Sequence, residues 1–216
     1  MNLLIIGAPG VGKGTMSRFL VANYSLVHVS TGDMLRQAIA DQTPVGKLAA
    51  TYMDKGELVP DEVIHNIIVE RLSKDDIKQG FLFDGYPRTV AQAIDLTNIL
   101  NELNMKIDAV INLQVEDEVV IKRITGRRIC NKCGSIYNIY YGAPKLENIC
   151  DNCGETLTIR KDDNLESLQI RLSEFHKNTA PVIDYYEQRN LVSNVNADQK
   201  REEEFEDIKK ILEGLK

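Results

Sequence analysis

No stretch of this 216-residue chain is apolar for long enough to cross a bilayer, which takes about 20 residues. The run Leu3 to Ile6 is also far too short for the core of a secretory signal, so a cytoplasmic protein without membrane contact is expected. Positive charge is in deficit, with 26 Lys and Arg against 32 Asp and Glu for a formal net charge of -6. Such a surface has no general affinity for nucleic acid or acidic membrane, so cations that serve an anionic ligand must be gathered locally. Cysteine is scarce: the four present form two close pairs, which in a reducing compartment point to metal before disulfide. Internal repeats and low-complexity tracts are absent, as is any Ser, His or Cys nucleophile with a placed base. What remains, 43% hydrophobic and 27% charged, is ordinary globular composition with length for one core and a small insertion.

The most informative stretch is Gly7-Ala8-Pro9-Gly10-Val11-Gly12-Lys13-Gly14-Thr15, which follows Leu3-Leu4-Ile5-Ile6 and leads into Met16, Phe19 and Leu20 at helical spacing. That is a strand, a glycine loop and a helix start. Glycines at 7, 10, 12 and 14 permit positive φ, turning successive N–H groups inward at the positive end of a helix dipole. Such a nest binds polyphosphate, with Lys13 over the terminal phosphates and the Thr15 hydroxyl reaching a phosphate or its Mg²⁺. A tight turn bearing a surface lysine is the plainer reading, but strand, loop, Lys and hydroxyl all fall in register. Gly14 stands where a Ser or Thr commonly follows the lysine, and the hydroxyl comes one place later.

Further along, Val27 to Ser30 reads as a strand, and Thr31 as the N-cap of a helix that carries Asp33 and Arg36. His28 reads as a packed strand residue. Residues 37 to 59 form a helical excursion broken at Thr43-Pro44 and Gly56, and Pro60-Asp61 opens another helix. Phe81 to Asp84 is a buried strand ending in a carboxylate, followed by a helix capped by Thr89. Ala109 to Val115 and Leu191 to Val195 supply two more strands, and Phe205, Ile208, Ile211, Leu212 and Leu215 the apolar face of a last helix. This alternation implies an α/β fold: a P-loop-type five-stranded parallel sheet flanked by helices.

Cys130-x2-Cys133 and Cys150-x2-Cys153 are separated by sixteen residues, and each pair is followed by a glycine. Two such knuckles make a closed four-thiolate site, which implies a structural metal, Zn²⁺ or Fe, and an insert that unfolds without it. Tyr137, Tyr140 and Tyr141 lie within the insert and are expected to supply packing. Arg123 and Arg127, four apart at the end of the preceding helix, are expected on one face. With Lys13, Arg36, Arg88, Arg160 and Arg171 they make a set of cations able to converge on two phosphate chains, leaving Asp33 and Asp84 to hold Mg²⁺-bound water. A phosphate acceptor needs no general base, whereas an alcohol acceptor would, and Asp33 could then serve.

Taken in order, GAPGVGKGT (7 to 15), STGDMLR (30 to 36), FDGYPRT (83 to 89), ITGRR (124 to 128), RKDD (160 to 163) and TAPVIDYY (179 to 186) resemble the motifs of the adenylate kinases. With the cysteine insert, the chain is similar over nearly its whole length to their long-lid bacterial form. The resemblance implies conversion of MgATP and AMP to two ADP. It implies that Gly10, Val11, Gly12, Lys13, Gly14 and Thr15 hold ATP phosphates and that Arg123 and Arg127 meet ATP. The ATP adenine would lie against Arg123, Ile136 and Tyr137, near the backbone of Gln199. Thr31, Arg36, Glu57, Leu58 and Val59, with Gly85, Tyr86, Pro87, Arg88 and Gln92, would surround AMP; Arg88 would grip its phosphate and Gln92 read its adenine. Arg160 and Arg171 would bridge donor and acceptor. Tyr86 replaces the phenylalanine more usual in DGFPR, and Thr89 stands where relatives acting on UMP or CMP tend to have asparagine, so the resemblance implies AMP as acceptor.

The resemblance divides the chain into a core (1 to 29, 60 to 126 and 164 to 216), an AMP-binding flap (30 to 59) and a zinc lid (127 to 163), and a protein that must open and close on two sides is expected to be a monomer. Two alternatives stay open on the residues alone: a different nucleoside monophosphate kinase, and a nucleotide-switched zinc-ribbon binding protein without transferase activity. Against the second stand the acidic charge and the lack of a guanine-reading NKxD motif.

Overall fold

The computed structural model describes residues 1–215. In chain order its elements are β1 (Asn2–Gly7), α1 (Lys13–Tyr24), β2 (Val27–Ser30), α2 (Thr31–Ala40), α3 (Pro44–Met53), α4 (Asp61–Leu72), β3 (Phe81–Asp84), α5 (Val90–Glu102), β4 (Ala109–Gln114), α6 (Asp117–Thr125), β5 (Arg127–Ile129), β6 (Ile136–Asn138), α7 (Leu165–Glu174), α8 (Ala180–Glu187), β7 (Val192–Asn196) and α9 (Arg201–Glu213). Five strands form one parallel sheet in the order β2-β3-β1-β4-β7. β1 is central, and the chain runs to opposite sides of it; the crevice beyond the carboxyl ends of such strands is where α/β sheets bind ligands. No helix among the described residues is long and apolar enough to cross a membrane.

Alternation along the strands divides the core into two layers. Leu4, Ile6, Val29, Phe81, Phe83 and Val110 pack with α4, α5 and α8 on one face, whereas Leu3, Ile5, Leu82, Ile111 and Leu113 pack with α1 and α9 on the other. Because both faces are covered, the strands read as nearly unbroken apolar runs. A third cluster joins Ala8 to Val120 and Ile124 of α6 and Leu168 of α7, seating the glycine loop on two helices. Gly10, at φ 82°, is required there: a Cβ would lie 2.6 Å from Ile124 Cγ1.

The five-stranded α/β architecture is as the sequence implies, with local corrections. Ser30, not Thr31, caps α2, its hydroxyl accepting from the Asp33 N–H at 3.3 Å. Thr31 is the first helical residue, and its hydroxyl instead donates to Gly85 O at 2.8 Å. α6 ends at Thr125, so Arg127 is a strand residue and does not share a helix face with Arg123. The antiparallel pair β5–β6 was not anticipated, because three-residue strands carry too little periodicity to register. The last sheet strand begins at Val192, and Leu215 lies beyond the end of α9, exposed. Gly7 and Gly12 have φ of 151° and 121°, but Gly14 lies in the first turn of α1 and takes no positive φ.

Candidate active site

The loop from Ala8 to Gly12 delivers the chain into α1 with Gly12 at its N-cap, so unpaired amides and the helix dipole face the crevice. The Lys13 ammonium lies across this loop, donating to Gly7 O at 2.7 Å and Ala8 O at 2.9 Å. Burial lowers its pKa to about 7; Asp84 opposes the shift, and Arg88, Arg171 and Arg127 reinforce it. Asp84, at the end of β3, approaches the Ser17 hydroxyl (3.4 Å) and His28 Nε2 (3.6 Å). From α6, the Arg123 guanidinium donates to Val11 O at 2.5 Å and to Ala197 O at 2.7 Å, tying the glycine loop to the turn after β7.

These groups line a cleft of about 1530 Å³, larger than the roughly 300–1,000 Å³ of single-ligand pockets. It takes in Gly10 to Thr15, Asp33, Asp84, Pro87, Arg123, Arg127, Ile136, Tyr137, Arg160 and Gln199. A smaller annex is bounded by Thr31, Glu57, Leu58, Val59 and Gln92, and Arg36, Gly85, Tyr86, Arg88 and Arg171 border both spaces. Every nucleotide-contact position named from the sequence therefore faces one connected depression.

The cations do not stand alone. Arg127 pairs with the buried carboxylate of Asp163, Arg171 with Asp162 at 3.0 Å and Asp163 at 3.8 Å, and Arg160 with Asp33 at 3.9 Å. Asp33 also accepts from Arg36 at 2.5 Å. Burial alone would raise the Asp33 carboxyl, but Arg36, with Ser30 and Arg160, holds it below the usual range. Asp33 is thus paired with arginines here, and it and Asp84 both border the cleft. Burial, followed by Arg36 and Arg127, lowers Arg160 to about 10. Burial and then Arg171 bring Arg88 to about 10, although the cleft leaves its side chain open to solvent. A site that weakens so many bases favours anionic ligands.

In the insert, the Sγ atoms of Cys130, Cys133, Cys150 and Cys153 lie within 4.8 Å of one another. A tetrahedral Zn–S4 centre at about 2.3 Å per bond sets its sulfurs about 3.8 Å apart; Cys130–Cys153 and Cys133–Cys150 are 3.4 and 3.5 Å apart. The two knuckles repeat one geometry: Gly134 N–H donates to Cys130 O and Gly154 N–H to Cys150 O, with φ of 71° and 73° at the glycines. The donor set fits a four-thiolate metal and leaves no open position. Only Tyr137 joins the small core beneath it; Tyr140 and Tyr141 are exposed, correcting the packing role expected of all three.

Residues 5–191 match the family model described as adenylate kinase. The chain belongs to the adenylate kinase family. It is 49% identical over 215 residues to the adenylate kinase of Geobacillus sp. (strain WCH70) and 48% identical over 216 residues to that of Bacillus subtilis (strain 168), covering 100% of both chains in each case. The adenylate kinase of Caldanaerobacter subterraneus subsp. tengcongensis is 49% identical over 214 residues, which is 99% of this chain and 97% of that one.

Within this adenylate kinase family member, several site residues had not been singled out. Asp162 and Asp163 stand inside the RKDD motif, so a signal for them was present. Ser17 carried none. Nor did Glu204, which lines the cleft at its α9 wall: it is 5% exposed, its Oε1 has no hydrogen-bond partner, and burial raises it to about 7 against the pull of Arg123 and Arg201. An acid whose folded pKa lies above its unfolded value of 4.5 costs stability as pH rises from that value through about 7, because the folded chain then holds the proton more tightly. Glu204→Gln should therefore melt higher than the parent at pH 8, by a margin on the order of 3 kcal/mol at most, and with no such advantage at pH 4. Calorimetric melts at the two pH values check this; an equal difference at both would refute it.

Proposed function

We propose that the chain catalyses reversible transfer of the terminal phosphoryl group of MgATP to AMP, giving two ADP. The observation that carries the reading is convergence: Lys13 and Arg123 at the glycine loop, and Arg88 and Arg36 beside the annex, face one cleft, with Arg127, Arg160 and Arg171 between them. ATP would take the glycine loop and the Ile136, Tyr137 and Gln199 wall; AMP would take the annex. An AMP phosphate oxygen, anionic at neutral pH, attacks the terminal phosphorus while the bond to the leaving ADP oxygen breaks. No covalent intermediate on the protein is required, and catalysis rests on positioning and charge stabilisation.

Mg²⁺ bound with ATP would neutralise phosphate charge; Asp33 and Asp84 would hold its water, and the Thr15 hydroxyl would reach a phosphate or the ion. The four cysteines would hold Zn²⁺ as a structural ion. Residues 30 to 59 and 127 to 163 act as flap and lid, and their closure excludes water that would otherwise hydrolyse ATP. A coupled assay with ATP as donor and AMP, CMP, UMP or GMP as acceptor is expected to favour AMP at least tenfold. Negligible ADP from ATP and AMP would end this reading.

A further inference from the structure

Gln92 lies buried beside the annex with its side-chain amide already committed on two sides. Its Oε1 accepts from the Arg88 backbone N–H at 2.7 Å, and its Nε2 donates to Asp61 Oδ1 at 2.6 Å. A backbone N–H can only donate and a carboxylate oxygen accepts, so these neighbours dictate which end of the amide is oxygen and which is nitrogen. Asp61 is exposed at the first turn of α4, is steadied by the Thr89 hydroxyl at 3.3 Å, and borders neither space of the cleft. It stands behind Gln92.

This matters because a free glutamine amide cannot by itself tell adenine from a 6-oxopurine. Adenine presents an N1 acceptor beside an N6–H donor, and hypoxanthine an N1–H donor beside an O6 acceptor. Turning the amide by 180° converts the complement of one edge into that of the other, so selection requires that the turn be prevented.

We propose that Asp61 is a positioning residue that locks the Gln92 amide in one orientation and thereby sets the preference of the acceptor site for a 6-aminopurine over a 6-oxopurine. The inference rests on the reading of the annex as the AMP site. With the lock in place, turning Gln92 sets an NH₂ group against the Arg88 N–H and the amide oxygen against the Asp61 carboxylate. The turn would give two base contacts and lose two protein hydrogen bonds, one of them to a charged group, which is the stronger kind. Asp61→Asn weakens the lock, since a carboxamide can donate as readily as it accepts, and Asp61→Ala removes that half of it.

The test compares AMP with inosine monophosphate, which differs from AMP only at this edge, in the 6-substituent and the N1 proton. Dissociation constants are measured by calorimetry and kcat/KM by ADP formation from ATP, on the full chain. In both variants the AMP-to-inosine monophosphate preference should fall about tenfold, by both measures, with KM for ATP unchanged within about twofold. An unchanged preference in the folded variants, or an absence of preference in the parent protein, would overturn the lock. A role confined to stability would shift the melting temperature and leave the ratio alone. If the parent binds AMP in preference to inosine monophosphate but forms no ADP, the phosphotransfer reading fails while the binding ratios still decide the lock.

Discussion

Lys13→Ala is expected to lower kcat about 10³-fold, equivalent to about 4 kcal/mol of barrier, while the protein stays folded. The ammonium is held directly over the glycine loop by the carbonyls of Gly7 and Ala8. On the proposed reaction the amides of that loop stay fixed, whereas Lys13 would follow charge as it moves from the terminal phosphate to the leaving oxygen. Its lowered pKa of about 7 shows that the surrounding protein disfavours the charge. Removing the group therefore costs the fold little: the side chain is half-buried and belongs to none of the apolar clusters. Steady-state ADP formation and a thermal melt test the two halves together. Retained turnover with a lowered melting temperature would reverse the assignment, making Lys13 a structural pin of the loop.

Cys130→Ser is expected to act in the opposite order, on stability first. The core of the insert consists of Cys130, Cys150 and Leu157, with Tyr137 and Cys153 partly buried against them. So few apolar side chains cannot offset the chain entropy of some 37 residues, which costs about 1–2 kcal/mol for each backbone fixed. On the proposed reading, a metal held by the four thiolates supplies the difference. Replacing the buried Cys130 should abolish stoichiometric metal in the purified protein and lower the first melting transition by about 10 °C or more, since 1 kcal/mol corresponds to about 2–4 °C at this size. Turnover should survive at low temperature and be lost on warming before the sheet core melts, because Arg127 and Arg160 sit where the insert joins the cleft. Metal analysis, calorimetry and activity against temperature measure each part. A metal-free parent protein, or a variant with an unchanged melt, would contradict it.

Much of the site was legible because its chemistry is local. The glycine loop, its lysine and its hydroxyl fall within nine residues, and each Cys-x2-Cys turn within four, so their geometry follows from backbone constraints that spacing encodes. Boundaries proved less secure. The choice between Ser30 and Thr31 as cap was ambiguous because both carry a hydroxyl, and only the Asp33 N–H and Gly85 O assign their roles. Arg123 and Arg127 were set on one helix face by a spacing of four. They reach the same cleft by a different route, because α6 ends between them.

By itself the sequence determined the α/β class, the strand–glycine loop–helix unit, the four-thiolate insert and the membership of one family of motifs. These rest on period, spacing and residue type, all properties of neighbours in the chain. Which acid meets which arginine, why Glu204 holds its proton, and which way the Gln92 amide points were decided only by tertiary structure. Each depends on a partner brought close by folding: Asp163 for Arg127 across 36 positions, Arg123 beside Glu204, and Asp61 for Gln92 across 31. Electrostatic energy and hydrogen bonding act over a few ångströms of space, and separation along the chain carries no record of that distance.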